Sequence, residues 1–192
     1  MSTETARVKG TIRKLWPTEI PAYRDHLLRL DADSRRLRFG MTASDDFISD
    51  YASRISHMKS IVFGYFVDGV IRAAAELRPL DGPLPHEAEA AFSVERPYQD
   101  SGIGTELMGR VIRAARNRNI HRIYMNCLAE NRKMQRVAKK YDAVLQFEEG
   151  DVVGELAPAT PNCFSIWREA LEDEHGFVMA VLDLQRHFMP AA

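Results

Sequence analysis

The hydrophobic positions of this chain repeat with two periods, one typical of strands and one typical of helices. Apolar runs and alternating apolar residues predict strands over 8–15, 60–67, 70–77, 88–94, 122–128, 144–149 and 152–156. Apolar residues three or four apart predict helices around 23–30 and 47–55, and over 102–119, 131–141 and 162–187. Ser44 is placed to cap the second helix, and Gly176 predicts a break in the last one.

Two short turns and one longer connection predict how the strands pair. Asp68-Gly69 suits a type I′ turn, which would join 60–67 and 70–77 as an antiparallel hairpin. Gly150-Asp151 predicts a second hairpin, and the succession of strand, helix and strand implies one parallel crossover in an otherwise antiparallel sheet. The expected fold class is α/β, with a mixed, mostly antiparallel central sheet flanked by helices and an extra C-terminal helical segment.

The composition is that of an ordinary globular protein and limits the function classes. Of 192 residues, 45% are hydrophobic and 28% charged, so one domain over 1–192 is expected. Lysine and arginine (26) nearly balance aspartate and glutamate (27), which argues against a nucleic-acid partner. No apolar stretch is long enough to span a membrane, and the first residues lack the features of a signal peptide. Because Cys127 and Cys163 suit a reducing compartment, we expect a cytoplasmic protein without a membrane partner.

The segment 92–105 runs from a predicted strand through a short loop into a predicted helix. The free N–H groups at such a helix start attract an anion, and glycine lets a phosphate approach the backbone. The lysine of a Walker A loop is absent, and Leu107 stands where a dinucleotide-binding fold needs a third glycine. What remains is a Gln-x-x-Gly-x-Gly loop of Gln99, Gly102 and Gly104, with an unliganded strand-to-helix turn as the alternative.

This loop resembles the pyrophosphate loop of the GNAT superfamily of N-acetyltransferases. The resemblance covers 8–156, most specifically 89–141, and leaves 157–192 as a C-terminal helical extension. Residues 30–39, Ala88-Glu89 and 131–134 are most similar to the catalytic domain of bacterial protein-lysine acetyltransferases. The resemblance implies acetyl-CoA as co-substrate, bound by Phe92, Val94, Gln99, Asp100, Ser101, Gly102, Ile103, Gly104, Thr105, Asn131 and Met134.

Acyl transfer to an amine needs a base, because a lysine-like amine with a pKa of about 10.4 is mostly protonated at neutral pH. The resemblance assigns this role to Glu89, and Glu87, which shares its strand face, is the backup candidate. The plainer alternative is that both carboxylates lie on a solvated face. The resemblance also assigns the oxyanion to a backbone N–H near Val94, where the strand would splay from its neighbour.

Two further positions have both a functional and a structural interpretation. The resemblance places Asn131 against the pantetheine arm or at the ends of the strand and helix, and an asparagine equally suits a helix start. Where many family members carry a tyrosine that protonates the leaving thiolate, this chain has Ala138. Tyr141, nearly one turn later, is therefore a candidate acid, with packing at the helix end and protonation by water as the alternatives.

The other reactive and charged side chains predict no further site. Arg110, Arg113, Arg116 and Arg118 are expected on a solvated helix face. Residues 35–38 are expected to form a charged surface turn, with contact to an acidic substrate or to the 3′-phosphate of CoA as the alternative. The histidines and cysteines lack the spacing of a metal site, and Cys127 is expected to be an inert buried thiol.

We expect an N-acetyltransferase that moves acetyl from acetyl-CoA to a primary amine by direct attack, without a covalent enzyme intermediate. Protein lysine is the first acceptor class and a small-molecule amine the second. A non-catalytic acyl-CoA-binding sensor and a nucleotide-binding enzyme stay open as other classes. The last 30 or so residues could cover the sheet, cap the acceptor cleft or form a homodimer contact.

Overall fold

A central sheet of seven strands organises the protein. The computed structural model describes residues 10–55, 57–80, 86–147 and 150–188, with side chains up to Asp183. The strands are β1 (Thr11–Lys14), β2 (Ile61–Val67), β3 (Val70–Pro79), β4 (Glu87–Val94), β5 (Arg122–Leu128), β6 (Val144–Phe147) and β7 (Asp151–Leu156). Their order is β1-β2-β3-β4-β5-β7-β6. Strands β4 and β5 pair in parallel and the other neighbours are antiparallel, which confirms the predicted mixed sheet.

Helices cover both faces of the sheet because β2 and β3 send alternate side chains into two separate cores. The helices are α1 (Ile20–Arg29), α2 (Ala32–Phe39), α3 (Asp45–Arg54), α4 (Ile103–Asn117), α5 (Arg132–Lys139) and α6 (Cys163–Phe188). One core joins α1 and α3 to the sheet through Leu27 and Ile48, and the other joins α4 through Leu107 and Val111. Helix α6 packs on α4 and β1.

Local sequence signals explain most element ends. Asp68 and Gly69 have φ of 50° and 76°, the left-handed pair that a type I′ turn requires, so the predicted hairpin is confirmed. Ser44 caps α3 as predicted, its side chain accepting a hydrogen bond from the backbone N–H of Phe47 at 3.2 Å. Gly150, with φ of 87°, precedes β7 in the second hairpin, although the predicted strand residue Glu149 lies outside the described residues.

The prediction of a charged surface turn at 35–38 is wrong, because these residues lie within helix α2. Asp31 caps the helix by accepting from the backbone N–H of Ser34 at 2.9 Å, and Gly40, with φ of 72°, ends it. Its arginines bind protein groups, as when the guanidinium of Arg35 donates to the carbonyls of Leu28 and Leu30. The run of charged residues therefore led to the wrong prediction for a helix that packs beside β4 and β5.

Two predictions about the C-terminal half are also wrong. Gly176 does not break α6; a side chain there would approach Cβ of Arg13 to 3.1 Å, so glycine permits close packing on β1. The arginine face of α4 is covered by α6 rather than solvated, as Arg113 and Arg118 form ion pairs with Glu172 and Glu169. Among the described residues, no helix is both long and apolar enough to cross a bilayer.

Candidate active site

Strands β4 and β5 separate halfway along their length and open a gap in the sheet. They pair over three residue pairs, from Glu87 with Arg122 to Glu89 with Tyr124. Beyond these pairs β4 continues to Val94 on its β3 side, and β5 continues on its β7 side. The splay that the sequence could only imply is therefore present at the C-terminal end of β4.

The backbone groups of Phe92 and Val94 face this gap. Glu87 and Glu95 form hydrogen bonds with Leu80 and Arg72 on the β3 side. Because ladder groups alternate sides in an antiparallel pair, the even-numbered residues of β4 turn their N–H and C=O groups toward β5. The N–H groups of Phe92 and Val94 are thus positioned as donors to a ligand lying between the strands.

The loop from β4 to α4 forms a concave start to the helix. Asp100 and Gly102 have φ of 56° and 87°, and this left-handed turn brings the first N–H groups of α4 to the end of the gap. The nearest atom to a side chain built on Gly104 is a methyl carbon of Val137 at 3.9 Å, so open space lies over this residue. A phosphate can therefore approach the backbone closely at the positive end of the helix dipole.

A cleft of about 390 Å³ extends from the gap along this loop to α5. We refer to it as the coenzyme cleft. Every residue predicted to bind the coenzyme lines it except Ser101, whose hydroxyl instead donates to the carbonyl of Tyr98. Its lining comprises Ser34, Leu37, Arg38, Phe92, Ser93, Val94, Tyr98, Gln99, Asp100, Gly102, Ile103, Gly104, Thr105, Asn131, Lys133, Met134, Arg136, Val137 and Lys140.

Gln99 and α5 join the two sides of the coenzyme cleft. The Gln99 amide donates to the carbonyl of Val94 at 3.0 Å and accepts from Nζ of Lys133 at 2.9 Å. Lys133 also binds Asp100 at 2.7 Å, which offsets the negative charge next to the helix start. Lys133, Arg136 and Lys140 follow one another at helical spacing after Asn131, a signal that sequence reasoning missed.

Asn131 and Tyr141 take positions that their structural interpretations favour. Asn131 caps α5 by accepting from the backbone N–H of Met134 at 3.1 Å, and it also lines the coenzyme cleft. The Tyr141 hydroxyl donates to the carbonyl of Thr105 at 2.8 Å, and Tyr141 is not among the lining residues of the cleft. Burial raises the pKa of the Tyr141 hydroxyl, which therefore stays protonated. Its hydrogen bond links the end of α5 to α4.

A second cleft, of about 320 Å³, lies on the opposite face of β4 and contains Glu89. We refer to it as the acceptor cleft. Glu89 forms an ion pair with Arg78 of β3, and its side chain is 27% exposed. The backup candidate Glu87 binds Arg122 and Tyr124 at 3.1 and 3.3 Å and does not line the cleft. The two predicted carboxylates thus have different surroundings, and Arg38 lines both clefts.

A buried ionic cluster forms the back of the acceptor cleft. The Glu76 carboxylate, on β3, accepts from the Tyr51 hydroxyl at 2.5 Å, Ser60 at 2.9 Å and Arg38 at 3.1 Å. The side chains of Arg38 and Glu76 are only 7% and 2% exposed, so each buried charge is compensated by the other. Burial raises the pKa of Tyr51 to about 12, which keeps its hydroxyl as a donor to Glu76.

Comparison with known proteins agrees with this geometry. A family model described as the acetyltransferase (GNAT) family matches residues 24–142, more than half of the chain. The chain belongs to the GNAT acetyltransferase family. The superfamily resemblance found in the sequence is therefore confirmed, and with it an acetyl-CoA-dependent N-acyltransferase.

Three solved GNAT folds show the architectural likeness. The GNAT domain of S. lividans PAT has a TM-score of 0.67 at 20% identity, over 77% of this chain and 90% of that one. The ribosomal-protein-S18-alanine N-acetyltransferase of Escherichia coli has a TM-score of 0.62 at 17% identity, over 81% and 97%. The structure of yncA from Salmonella typhimurium with its cofactor acetyl-CoA has a TM-score of 0.57 at 18% identity, over 80% and 98%.

The coenzyme cleft of this GNAT protein suits the diphosphate and the amide-bearing arm of acetyl-CoA. The free space over Gly104 and the first turn of α4 suit a diphosphate, and Lys133, Arg136 and Lys140 supply positive charge beside it. The inward N–H groups of β4, between Phe92 and Met134, suit an amide-bearing arm. No cluster of three or more potential metal ligands occurs within the described part of the chain.

Cys127 of this GNAT protein lies in the acceptor cleft rather than in the core. It is partly buried, lines the cleft beside Asn126 and Asp151, and forms no disulfide. Burial, and then the nearby charge of Asp151, raises the pKa of its thiol. Because the thiolate is the nucleophilic form, this environment opposes a role for Cys127 as an acyl carrier.

Proposed function

We propose that this GNAT enzyme acetylates a primary amine, with Glu89 as the general base and a protein lysine as the acceptor. The observation that carries the proposal is the position of Glu89. It lies in the acceptor cleft, on the strand whose other face forms the coenzyme cleft, and Arg38 borders both clefts. Glu89 therefore belongs to the same short strand, β4, as the N–H groups of Phe92 and Val94 that face the gap.

Different groups of the chain bind the coenzyme and accept the proton of the amine. The N–H groups of Phe92 and Val94 and the first turn of α4 hold the coenzyme, and Gln99 fixes the carbonyl of Val94. When bound, acetyl-CoA supplies an acetyl group activated as a thioester. Glu89 accepts the proton of the incoming ammonium group, which makes the amine nucleophilic. Since Tyr141 is engaged with Thr105, we assign protonation of the departing thiolate to solvent.

The charge of the acceptor cleft supports a cationic acceptor. Glu76, Glu89 and Asp151 line it, while Arg38 and Arg78 are neutralised by two of these carboxylates. Protein lysine is supported by the sequence motifs shared with bacterial protein-lysine acetyltransferases and by the fold likeness to the PAT GNAT domain. A small-molecule amine is the second candidate, because a cleft of about 320 Å³ is large enough to enclose a small ligand.

Glu89→Gln tests the mechanism, with Glu87→Gln as its matched control on the same strand face. We expect Glu89→Gln to lower kcat by about 10²- to 10⁴-fold, because a positioned base contributes a factor of that size. Acetyl-CoA affinity, measured by calorimetry, should stay within about twofold of wild type, and Glu87→Gln should leave both quantities unchanged. Wild-type turnover in Glu89→Gln, or an equal loss in the two variants, would remove Glu89 from the mechanism.

The acceptor is tested by release of CoA thiol, corrected for hydrolysis, with three amine classes: lysine peptides, peptides with a free α-amine, and small polyamines. The proposal expects the highest kcat/KM with lysine peptides. Preference for polyamines would favour the second candidate. Tight acetyl-CoA binding without turnover on any amine would instead favour the sensor alternative.

We also propose a cytoplasmic location. It is supported by the two cysteines, which are free thiols, with Cys163 exposed at the start of α6. Subcellular fractionation checks this, and recovery of the protein with an oxidised Cys163 from an extracytoplasmic fraction would contradict it.

A further inference from the structure

Helix α6 turns most of its acidic side chains toward the rest of the protein and most of its large apolar side chains toward solvent. The side chains of Glu169 and Glu172 are 14% and 19% exposed. In contrast, Phe164 and Trp167 are 66% and 60% exposed. A helix on the surface of a monomer normally has the reverse arrangement, with its apolar stripe on the core.

Ion pairs hold α6 in this orientation. Glu172 binds Arg110 and Arg113 of α4 at 2.7 and 2.5 Å, and Glu169 binds Arg118 at 2.6 Å. On the same side, Gly176 packs directly against Arg13 of β1. A rotation that buried the apolar side chains would separate these charges and lift the glycine from β1. The apolar surface is therefore a fixed feature of the protein.

Six of the eight large apolar side chains that are exposed on the described part of α6 form a stripe along the helix, which we call the outward face; the other two are Ile166 and Phe177, and Phe177 packs against Trp16. The outward face consists of Phe164, Trp167, Leu171, Val178, Val181 and Leu182. Five of these residues occupy the first and fourth positions of a seven-residue repeat, and Glu174 stands at the remaining such position. Residues with this spacing form the seam through which helices pair in coiled coils.

Charge argues against a lipid bilayer as the occupant of the outward face. Helix α6 contains five acidic residues, two arginines and no lysine. Helices that lie on membranes carry lysine and arginine along the polar side, which attract anionic lipids. A negatively charged helix lacks this attraction, so a protein surface is the better match.

The exposure of the surface and its symmetry favour a second copy of this chain. The six apolar side chains of the outward face are each 39–66% exposed, and soluble monomers rarely leave such a contiguous apolar surface uncovered. The repeat is self-complementary when two helices run antiparallel, because first positions then face fourth positions. Phe164 would meet Val181 of the partner subunit, and Trp167 would meet Val178 of the partner subunit.

We propose that α6 pairs antiparallel with α6 of a second copy, through the outward face, to form a homodimer. Glu174 would face Leu171 of the partner subunit, about one turn from Arg168 of the partner subunit. None of the outward-face residues lines the coenzyme cleft or the acceptor cleft. Dimer formation therefore leaves both clefts open, and its test is independent of the proposed activity.

Sedimentation of the full chain over a dilution series tests the proposal. We expect a species of twice 21.8 kDa that dissociates on dilution. The double variant Trp167→Lys, Leu171→Lys should be monomeric, with the circular dichroism and acetyl-CoA affinity of the wild type. Val144→Lys is the matched control, because Val144 is 63% exposed but lies on β6, and it should remain dimeric.

A variant that strengthens the seam keeps the test decisive if the lysine substitutions disturb folding. Glu174→Leu fills the charged position of the repeat and should lower the dimer dissociation constant by about tenfold or more. A monomeric wild type, a dimeric double variant or weaker association of Glu174→Leu would each overturn the proposal. So would a monomer that binds vesicles containing phosphatidylglycerol, since the outward face would then serve a membrane.

Discussion

The two faces of β4 are built by different kinds of interaction. Its even-numbered residues, such as Ala90 and Phe92, belong to the apolar core beneath α4 and offer the coenzyme cleft backbone groups and apolar walls. The side chains of its odd-numbered residues, such as Glu89 and Ser93, and of Glu95 just after the strand, bind charged or polar side chains from other elements. Coenzyme binding thus depends mainly on local backbone geometry, whereas the acceptor side depends on long-range ionic contacts.

This difference assigns separate properties to the two faces. A change on the coenzyme side should alter affinity with little effect on stability, because the ligand occupies open space over the loop. A change on the acceptor side should alter stability first, because its charged groups are buried in pairs. Substitutions on each face can break or sharpen this contrast.

The largest expected effect is on the stability of the acceptor side. Arg38→Met removes the positive partner of Glu76, which is 2% exposed, and should lower the free energy of unfolding by about 3–5 kcal/mol. Arg36→Met is the control on the same helix, because Arg36 is 43% exposed in its ion pair with Glu130. The control should change stability by less than about 1 kcal/mol. Denaturant unfolding of the two variants measures the difference, and equal losses would contradict the contrast between buried and exposed pairs.

Arg38 also shows why the acceptor side could not be predicted from sequence. Its partners Tyr51 and Glu76 lie 13 and 38 residues away along the chain, so the run at 35–38 has the appearance of a solvated turn. The same limit applies to α4, whose arginines meet acids about 50 to 60 residues later on α6. Ion pairs of this kind form only when distant elements have packed together. The pattern of residues along the sequence therefore does not predict them.

The coenzyme side was predictable because its parts are consecutive. Gln99, Gly102 and Gly104 set the turn and the open space within one short loop, and the following apolar spacing defines α4. Glu89 was predicted as the base from the family resemblance, and the cleft around it could not be predicted from the sequence. The basic residues of α5 also follow a local spacing, but such a spacing does not by itself distinguish a ligand-binding face from a solvated one.

The second prediction concerns affinity on the coenzyme side. Gly104→Val places a branched side chain in the space that a phosphate needs, where the nearest protein atom is 3.9 Å away. We expect acetyl-CoA affinity to fall by about 10- to 100-fold, equivalent to about 1.4–2.8 kcal/mol. Glu106→Val, at an exposed position of the same helix, controls for the cost of a branched residue in a helix. Calorimetry showing equal affinities in the two variants would count against the phosphate site.

The smallest expected effect is a pH dependence of stability that arises from the odd-numbered face of β4. His26 is fully buried on α1, with Nδ1 3.1 Å from Glu95 and Nε2 2.9 Å from Ser93. Since a carboxylate can only accept, Nδ1 carries the proton and Nε2 accepts from the Ser93 hydroxyl. Burial lowers the pKa of His26, partly opposed by Glu95, so the imidazole is neutral in the folded protein at neutral pH.

Because the folded pKa of His26 lies below its unfolded value of 6.5, the unfolded chain takes up this proton first as the pH falls. Stability should therefore decrease below about pH 6.5, by up to about 1.4 kcal/mol per pH unit, until the folded pKa is reached. Glu95, whose pKa is lowered by His26 and Arg72 against the effect of burial, stays charged through this window. His26→Asn should flatten the dependence of the unfolding free energy on pH between about pH 7 and 5, whatever its effect on absolute stability. The control His57→Asn, at an exposed position, should keep the wild-type slope. An unchanged slope in His26→Asn would show that the odd-numbered face of β4 carries no titrating group in this range, and the contrast between the two faces would then rest on ion pairs alone.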